Sequence, residues 1–477
     1  MIRTKASYLD LFGVTMDILE RLVAEGISRG GDYTDLFFEN TSYLSLLLRD
    51  GEVTSGGRHV DYGVGIRVLK GDKTGYAYSE TTELPDMLSA ARAASAIAEG
   101  PASPFPYEGC RARKYFPGEP NPAADRYPIV DDSAEGLVPF MEKIEKGIFA
   151  REPRTVKVMI SLTFEKSDIL LFNSDRELKY DTRPMATVAA TAIFTQDGKM
   201  ENNTFSRSRR MGTEMFTDSL IEEMIAGTVR GLDERFEAKR PKGGKMSVVM
   251  GAGASGILLH EAMGHAFEAD FARKGQSVFT GRVGKKVCPS GITIVDDATL
   301  RGDRGSLNFD DEGVPGQRTA MVEDGVLTSF LHDRISARHF GVAPTGNGRR
   351  ESFRYMPIPR MRSTYMESGN ASPESLIAEV RKGIYVDNFS NGQVKIGEGD
   401  FTFYVKSGFL IENGRLTSPV KDINIIGNGP EALADIIGVG NDLVVDKSAW
   451  TCGKEQNVPV SCGIPTVLIK SLTVGGD

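Results

Sequence analysis

Histidine is scarce in this chain, which has five histidines among 477 residues. Cysteine is scarce too, and the four cysteines lie too far apart to form the dense disulfide framework of small secreted proteins. No stretch approaches the roughly 20 apolar residues that span a bilayer. The first ten residues also lack the apolar region of a signal peptide, so we expect a cytoplasmic protein that does not bind membranes.

Positive charge is in deficit, since the formal net charge is −8. Broad nucleic-acid binding needs clustered lysine and arginine to displace phosphate counterions, so we expect no nucleic-acid partner. The densest basic loops lie at 239–242 and 348–350. Solvated turns would account for both loops. If Arg349 or Arg350 faces a cleft, however, we expect it to bind a substrate carboxylate.

Two of the scarce histidines stand close together with a glutamate, in the segment Leu259-His260-Glu261-Ala262-Met263-Gly264-His265. The common zinc protease pattern places its two histidines four residues apart, with a glutamate after the first as general base. Here the spacing is five residues, which a regular α-helix would turn roughly 140° apart. We therefore predict a widened or kinked turn at 262–265, where Gly264 lowers the steric resistance to bending.

A plain buried helix is the alternative interpretation of this segment. Backbone carbonyls would then bind the histidines, and Glu261 would pair with His265 along the helix. The segment is apolar on most sides, where an unpaired glutamate would be costly. A metal ion and its water would offset that cost, which favours a zinc site.

Catalytic zinc usually takes three protein ligands, so a third ligand must come from elsewhere in the chain. By residue type alone, His332, His339 and Glu268 are candidates. Cys452 and Cys462 suit zinc better, because a thiolate binds it tightly. Either cysteine could equally be a small buried hydrophobic residue.

Three glycines before the histidines, Gly251, Gly253 and Gly256, match the G-x-G-x-x-G pattern of dinucleotide-binding proteins. The helix that follows carries the histidines on an apolar segment. No clear strand ending in an acidic residue appears about 20 residues further on. We therefore expect these glycines to let the helix start pack closely against a sheet and to let the backbone approach a substrate.

The patterns of the chain predict an α+β fold with mostly antiparallel sheets and packed helices. Apolar residues occupy every second position from Val156 to Phe164, which is typical of a half-buried strand. Apolar residues recur at helical spacing over 216–236, which predicts a helix there. In the second half, strands or hairpins at 291–295, 318–330 and 401–416 are joined by Asn-Gly and Asp-Gly turns.

At 477 residues the chain exceeds the usual size of a single core, so we expect two domains. A polar stretch around residue 240 is the predicted boundary, which gives an α+β domain at 1–240 and a catalytic domain at 241–477. The helix with the zinc motif opens the second domain. Prolines crowd residues 101–128, which we predict to be an extended connection within the first domain.

Residues 251–268, which surround the histidine pair, and several later segments together form a recognisable pattern. The later segments are Asp310-Asp311-Glu312-Gly313-Val314-Pro315, Gly346-Asn347-Gly348-Arg349-Arg350-Glu351-Ser352, Val439-Gly440-Asn441-Asp442-Leu443, Cys452-Gly453-Lys454 and Leu472-Thr473-Val474-Gly475-Gly476. In these segments, from about residue 245 onward, the chain resembles the TldD branch of the TldD/TldE (PmbA) zinc metalloprotease family.

This resemblance implies that His260, His265 and Cys452 hold zinc and that Glu261 is the general base. Cys462 lies outside the matching segments. The resemblance also implies an intracellular endopeptidase that acts on unfolded peptides and often pairs with a TldE-like paralogue lacking the zinc motif.

Two functions from different classes are consistent with the sequence. The first is a zinc endopeptidase in which Glu261 activates a water molecule at the metal. The alternative is a non-catalytic regulatory module that binds other proteins and whose zinc site is structural. Glu261 discriminates between them, because a closed structural site has no use for a free carboxylate beside its first ligand. A dimer fits both functions, either a homodimer or a heterodimer with a TldE-like paralogue.

Overall fold

The structure is a computed structural model that describes residues 4–99, 136–253, 255–395 and 398–476. The extended connection predicted at 101–128 lies outside the described residues. Helices and strands are mixed along the chain, and most strand pairs are antiparallel, so the predicted α+β fold is confirmed.

The helices are numbered here in chain order. They are α1 Lys5–Leu11, α2 Met16–Ile27, α3 Leu84–Ser95, α4 Leu137–Arg151, α5 Asp218–Val229, α6 Leu232–Glu237, α7 Gly256–Ala262, α8 Ala269–Arg273, α9 Arg334–Phe340, α10 Pro373–Ala378 and α11 Gly429–Ala434. Short 3₁₀ helices occur at Ala96–Glu99, Thr213–Met215 and Gly264–Phe267. Within the described ranges, none of the helices combines the length and apolar character needed to cross a bilayer.

The strands are numbered in the same way. In the first half they are β1 Tyr33–Arg49, β2 Glu52–Lys70, β3 Lys73–Ser79, β4 Thr155–Asn173, β5 Leu178–Gln196 and β6 Lys199–Arg209. In the second half they are β7 Gly244–Met250, β8 Ile294–Asp297, β9 Arg318–Glu323, β10 Val326–Leu327, β11 Gly348–Arg349, β12 Ile358–Pro359, β13 Ser363–Met366, β14 Lys382–Val394, β15 Asp400–Glu412, β16 Arg415–Val420, β17 Ile423–Asn428, β18 Ile436–Val439, β19 Val444–Val445, β20 Thr451–Cys452, β21 Val458–Pro459, β22 Ser461–Ile464 and β23 Val467–Gly475.

The first half forms a long antiparallel sheet with the strand order β3-β2-β1-β4-β5-β6. The alternation predicted from Val156 to Phe164 lies within β4. Asp50-Gly51 joins β1 to β2, and Asp197-Gly198 joins β5 to β6, with positive φ at all four residues. Such backbone angles are those of the tight turns that match the twist of antiparallel strands.

Period-two alternation gives this sheet two faces that are covered differently. On one face, residues such as Leu36 and Leu46 of β1 pack against helices α1 to α6. On the opposite face, Phe37 packs against Phe353 of the second half of the chain. The central strand β1 is therefore buried on both sides over this stretch, which fixes its register.

The single helix predicted over 216–236 is wrong. Helix α5 ends at Val229 and α6 begins at Leu232. Between them, Gly231 adopts a left-handed conformation with φ of 68°. Glycine adopts this conformation at little steric cost, so the chain turns there and continues as a second short helix.

A sheet in the second half closes on itself. Strand β7 pairs with β14 and β23, β23 pairs with β17, β17 pairs with β15, and β15 pairs back with β14. The pair of β7 and β14 is parallel and the other pairs of this ring are antiparallel. Apolar residues of the ring, such as Phe403 and Ile425, share one core with Leu258 and Leu259 of α7. This core supports the helix that carries the histidines.

A separate sheet lies beside this ring, with the strand order β10-β9-β8-β13-β22-β19. Asp324-Gly325 forms the turn between β9 and β10, and Asn413-Gly414 forms the turn between β15 and β16. The predicted Asp-Gly and Asn-Gly hairpins of the second half are therefore confirmed. Two small hairpins, β11–β12 and β20–β21, carry Arg349 and Cys452.

Candidate metal centre

Helix α7 carries His260 close to its C-terminal end and does not continue to the second histidine. Met263 departs from helical geometry with φ of −127°, and His265 lies in the 3₁₀ turn Gly264–Phe267. The kink predicted at 262–265 is confirmed, but the chain tightens into a 3₁₀ turn and does not widen. The two imidazole ring centroids are 5.2 Å apart as a result.

Two glycines allow the close packing of this segment. A Cβ at Gly264 would lie 2.3 Å from Met361 Sδ, and a Cβ at Gly256 would lie 2.8 Å from the backbone nitrogen of Gly463 in β22. Both distances are shorter than real Cβ contacts allow. The position of Gly256 supports the interpretation that the G-x-G-x-x-G pattern serves close packing of the helix start.

Cys452 reaches the histidines from the short strand β20. Its Sγ lies 3.4 Å from His265 Nε2. The candidate ligand atoms of His260, His265 and Cys452 all lie within 4.8 Å of one another, and all three residues are buried. Cys462 lies outside this group in β22, where burial raises the pKa of its thiol.

Two observations indicate that the three residues fit a metal ion. One is their donor chemistry, and the other is the set of unsatisfied ring nitrogens of buried His260. Neither ring nitrogen of His260 forms a hydrogen bond of regular geometry among the described residues, although the residue is only 1% exposed and interacts with the Cys452 thiol. A buried polar group without a partner is costly, and a metal ion would satisfy one of these nitrogens. Two imidazoles and one thiolate form a donor set that suits zinc.

The charges of the group favour a thiolate. Burial raises the pKa of the Cys452 thiol, but His260 and His265 outweigh burial and lower it to about 4. Burial lowers the pKa of His265, but Glu268 and Cys452 outweigh burial and raise it to about 10. The thiolate is the form of cysteine that binds metal ions.

Glu268 was a candidate ligand by residue type, and the structure places it behind His265. His265 Nδ1 donates a hydrogen bond of 2.7 Å to Glu268 Oε2, while Nε2 faces Cys452. The Glu268 side chain is completely buried. A carboxylate on the second ring nitrogen fixes the tautomer and the orientation of an imidazole ligand.

Buried charges connect Glu268 to the segment that carries Cys452. Lys454 Nζ lies 3.1 Å from Glu268 Oε2 and donates a hydrogen bond of 2.8 Å to Asp270. Arg360 donates a hydrogen bond of 2.7 Å to the backbone carbonyl of Cys452, and its Nε lies 3.9 Å from Glu268 Oε1. Ion pairs and hydrogen bonds within the protein therefore hold the segment of Glu268 against the segment of Cys452.

Glu261 is more open to solvent than its neighbours in the candidate centre. Its side chain is 28% exposed, and its Oε2 lies 3.7 Å from His265 Nε2. It does not belong to the three-residue group that could hold a metal ion. Its contact with His265 is the i,i+4 pair that the alternative interpretation of this segment predicted. A partly exposed carboxylate beside such a group can exchange protons with a water molecule or a substrate.

The arginines proposed for substrate binding point into the protein. Arg349 donates hydrogen bonds to the backbone carbonyls of Met361 and Pro459, and Arg350 donates to the backbone carbonyl of Asp311. Both residues are buried. Their guanidinium groups therefore have protein partners. Arg349 braces the interior of the second half, whereas Arg350 also contacts the first half, where it lies 3.4 Å from Asp35.

The remaining candidate histidines lie outside the three-residue group. His332 is buried against Phe330 and Phe340, and burial lowers its pKa to about 4. His339 lies in α9 and packs against Phe340. Neither is placed to complete the ligand set with His260.

Comparison with known proteins identifies the family. The model of the PmbA/TldA metallopeptidase C-terminal domain matches residues 243–476, and the model of PmbA/TldA metallopeptidase domain 1 matches residues 34–98. A metalloprotease TldD homolog of Haemophilus influenzae is 37% identical, with 94% of each chain covered. A metalloprotease of Methanothermobacter thermautotrophicus is 31% identical, with 98% of each chain covered.

Solved structures share the fold over nearly the whole chain. TldE from Thermococcus kodakarensis has a TM-score of 0.75 at 19% identity, covering 96% of this chain and 100% of that chain. A putative modulator of DNA gyrase from Bacteroides thetaiotaomicron has a TM-score of 0.76 at 18% identity, covering 100% of each chain. From the matching family models and the extent of the sequence identity, the chain belongs to the TldD branch of the PmbA/TldD metallopeptidase family.

Proposed function

We propose that this chain is a zinc-dependent endopeptidase that hydrolyses peptide bonds of unfolded peptides. His260, His265 and Cys452 would hold the zinc ion, and Glu261 would be the general base. The observation that carries the proposal is the buried group of three donors, whose candidate ligand atoms all lie within 4.8 Å of one another. Membership of a metallopeptidase family supports the same chemistry.

The proposed reaction assigns distinct tasks to the residues of the centre. Bound zinc would polarise the scissile carbonyl and lower the pKa of a water molecule toward neutrality. Glu261 would accept a proton from that water and then donate it to the leaving amine. This task needs a carboxylate that is off the metal and accessible, which agrees with the 28% exposure of the Glu261 side chain. Glu268 would hold His265 in the tautomer that leaves Nε2 free.

Burial of the three donors supports unfolded peptides as the substrate class. His260, His265 and Cys452 are between 1% and 3% exposed. A folded protein presents its peptide bonds on a broad surface, which cannot reach such a buried group without local unfolding. An extended peptide segment is narrow, and its backbone can approach the centre more readily.

We further propose that the working form is a dimer, either of two identical chains or of this chain with a TldE-like paralogue. The shared fold with TldE from Thermococcus kodakarensis supports a paralogue of similar shape as the partner. We also retain the proposed domains at 1–240 and 241–477. The match of the C-terminal family model, which starts at residue 243, supports that boundary.

Metal content and peptide cleavage, measured on the same samples, test the proposal. The samples are wild type, Cys452→Ala, Cys462→Ala as the matched cysteine control, and Glu261→Gln. We expect near-stoichiometric zinc in all except Cys452→Ala. We expect cleavage of an unfolded peptide by wild type and Cys462→Ala, and none by Cys452→Ala or Glu261→Gln.

Three outcomes would contradict parts of this proposal. Wild-type protein that binds no zinc, even when zinc is added, would exclude the metal centre. Loss of zinc from Cys462→Ala with retention in Cys452→Ala would exclude the proposed third ligand. Cleavage by Glu261→Gln at the wild-type rate would exclude Glu261 as the general base, and another group would then have to accept the proton from water.

A further inference from the structure

A cavity of about 250 Å³ lies between the first sheet, helices α5 and α6, and strands β14 and β15. None of the residues of the candidate metal centre lines it. Its wall includes four cationic residues, Arg230, Arg235, Lys406 and Lys421, together with the acidic residues Glu234 and Asp387. The cavity therefore lies where the first and second halves of the chain meet, and its chemistry is polar.

Strands β14 and β15 lose their regular register beside this cavity. Asp387 falls between two paired positions of β14, and Lys406 falls between two paired positions of β15. Both residues line the cavity wall. Such bulges turn side chains out of the regular alternation and occur preferentially next to functional sites.

Arg235 and Lys406 lack carboxylate partners at the cavity. Arg235 Nε is buried and has no hydrogen-bond partner among the described residues. Lys406 Nζ donates a hydrogen bond of 3.2 Å to the backbone carbonyl of Thr204. In the described part of the chain, neither cation forms a salt bridge within 4.0 Å, although Glu201, Asp387 and Glu234 attract Arg235 from a longer distance.

The nearby carboxylates of Asp387 and Glu201 pair with other residues. Asp387 accepts a hydrogen bond of 2.9 Å from Ser407 Oγ, and it lies 3.7 Å from Arg230. Glu201 pairs with Lys421. Asp387 and Glu201 thus offset Arg230 and Lys421, and Glu234, the other acidic residue of the wall, forms no ion pair with Arg235 or Lys406 in the described structure.

Burial disfavours the charged forms of both Lys406 and Arg235. Burial lowers the pKa of Lys406 to about 8, and the positive charge of Arg235 acts in the same direction. Burial also lowers the pKa of Arg235. A bound anion would reverse both effects, because an opposite charge nearby favours the charged form of each side chain.

We propose that this cavity binds a small oxyanion, a carboxylate or a phosphate, held by Arg235 and Lys406. Arginine and lysine form their strongest hydrogen bonds with such oxyanions, and arginine offers two parallel donors to them. Arg235 belongs to α6 and Lys406 to β15, so the anion contacts both halves of the chain. The proposal does not depend on the peptidase reaction.

Binding of inorganic phosphate and of succinate to the full chain tests this site. Calorimetry and thermal unfolding would be carried out at constant ionic strength, set with sodium chloride. Lys406→Met removes the charge and retains most of the side-chain volume. Lys382→Met is the matched control, because Lys382 is an exposed lysine at the start of β14 that does not line the cavity. Arg235→Gln is the second variant of the site.

We expect at least one of the two anions to bind to wild type and to raise its Tm. Its Kd should rise about tenfold in Lys406→Met, the loss expected for one charge-assisted hydrogen bond. Lys382→Met should bind like wild type. Phosphate binding alone indicates a phosphorylated ligand, and succinate binding alone indicates a carboxylate.

Stability without an added anion separates a binding role from a structural one. If Lys406 serves binding, Lys406→Met should unfold at the wild-type Tm or above it, because the substitution removes a buried charge and its repulsion by Arg235. A clearly lower Tm together with an unchanged Kd would overturn the proposal. Failure of wild type to bind either anion at millimolar concentration would overturn it too.

Discussion

Single residues control the geometry of the candidate metal centre, and Gly264 is the clearest case. An added methyl group at this position would lie 2.3 Å from Met361 Sδ. We predict that Gly264→Ala lowers the free energy of unfolding by about 1–3 kcal/mol, as overpacking of an interior does. Chemical denaturation measures this loss. Gly136→Ala is the control, because a methyl group there would meet nothing within 4 Å.

A double substitution identifies the cause of that loss. Met361→Ala removes the side chain that a methyl group at Gly264 would strike. The loss in the double variant should therefore be smaller than the sum of the losses in the two single variants. Strictly additive losses would show that the contact with Met361 is not the reason for glycine at this position.

The buried carboxyl of Glu39 leads us to predict a pH dependence of stability that does not involve the metal centre. Its carboxyl accepts hydrogen bonds from Thr41 Oγ1 at 2.6 Å and from the Phe353 backbone at 2.7 Å. Burial outweighs these bonds and raises the pKa of Glu39 to about 7. Because the pKa is higher in the folded state, the stabilising contribution is present below the unfolded pKa and is lost as the pH rises through about 7.

We therefore predict how wild type and Glu39→Gln differ with pH. Between about pH 5 and pH 8, wild type should lose stability relative to the variant, by on the order of a few kcal/mol. Above that range the difference should be constant, because Glu39 is then ionised in both states. Urea unfolding at a series of pH values measures it. A difference that does not change with pH would contradict the prediction.

At the scale of helices and strands, the sequence predicts the features that depend on neighbouring residues better than the features that depend on long-range contacts. The alternation from Val156 to Phe164 lies within β4, and Asn413-Gly414 forms the turn between β15 and β16. These patterns depend on neighbouring residues only. The single helix over 216–236 fails at Gly231, because the apolar spacing resumes in α6 after the break and conceals it.

The same limit applies to the candidate centre. The spacing of the two histidines and the presence of Gly264 predict the kink, because both lie within one short segment. Residue type and spacing do not choose between Cys452 and Cys462, and only the family resemblance favours Cys452. His265 and Cys452 are 187 positions apart and meet only through packing of whole elements. Glu268 has the spacing to reach His265, but residue type alone does not separate a metal ligand from a hydrogen-bond partner of a ligand.

Glu268 joins two elements, and its substitution should weaken metal binding. Glu268→Gln retains the size of the side chain and removes the charge that faces His265 Nδ1 and Lys454. We predict a zinc affinity lower by about tenfold to a hundredfold, as for other residues that orient a metal-binding histidine. Competition with a chromophoric chelator measures it. Glu367→Gln, which alters an exposed pair with Arg318, should bind zinc like wild type. Equal affinity of wild type and Glu268→Gln would contradict the positioning role.

At the scale of the whole molecule, buried charges join the two halves of the chain. Arg67 of β2 lies 2.5 Å from Asp35 and 2.6 Å from Glu312, which belongs to the second half. The Arg67 side chain is 1% exposed and both carboxylates are fully buried. We predict that Arg67→Met lowers the free energy of unfolding by about 3–5 kcal/mol, because it removes the ion pair of buried Glu312 and leaves buried Asp35 only the longer pair with Arg350, at 3.4 Å.

Chemical denaturation of Arg67→Met and of an exposed counterpart tests this prediction. Lys146→Met alters the exposed i,i+4 pair with Glu142 and should change stability little. The loss in Arg67→Met should therefore be much the larger of the two. Similar losses in the two variants would show that the buried charges contribute no more than a surface pair.

The order of strands in the closed ring has a consequence for synthesis of the protein. Strand β7 and helix α7 leave the ribosome long before their partner strands β14 and β23, and before Cys452. A nascent chain therefore exposes the apolar side of α7, which makes it a candidate for chaperone binding. It also holds His260 and His265 without the thiol. The group of three donors is therefore complete only in chains that have been synthesised past Cys452.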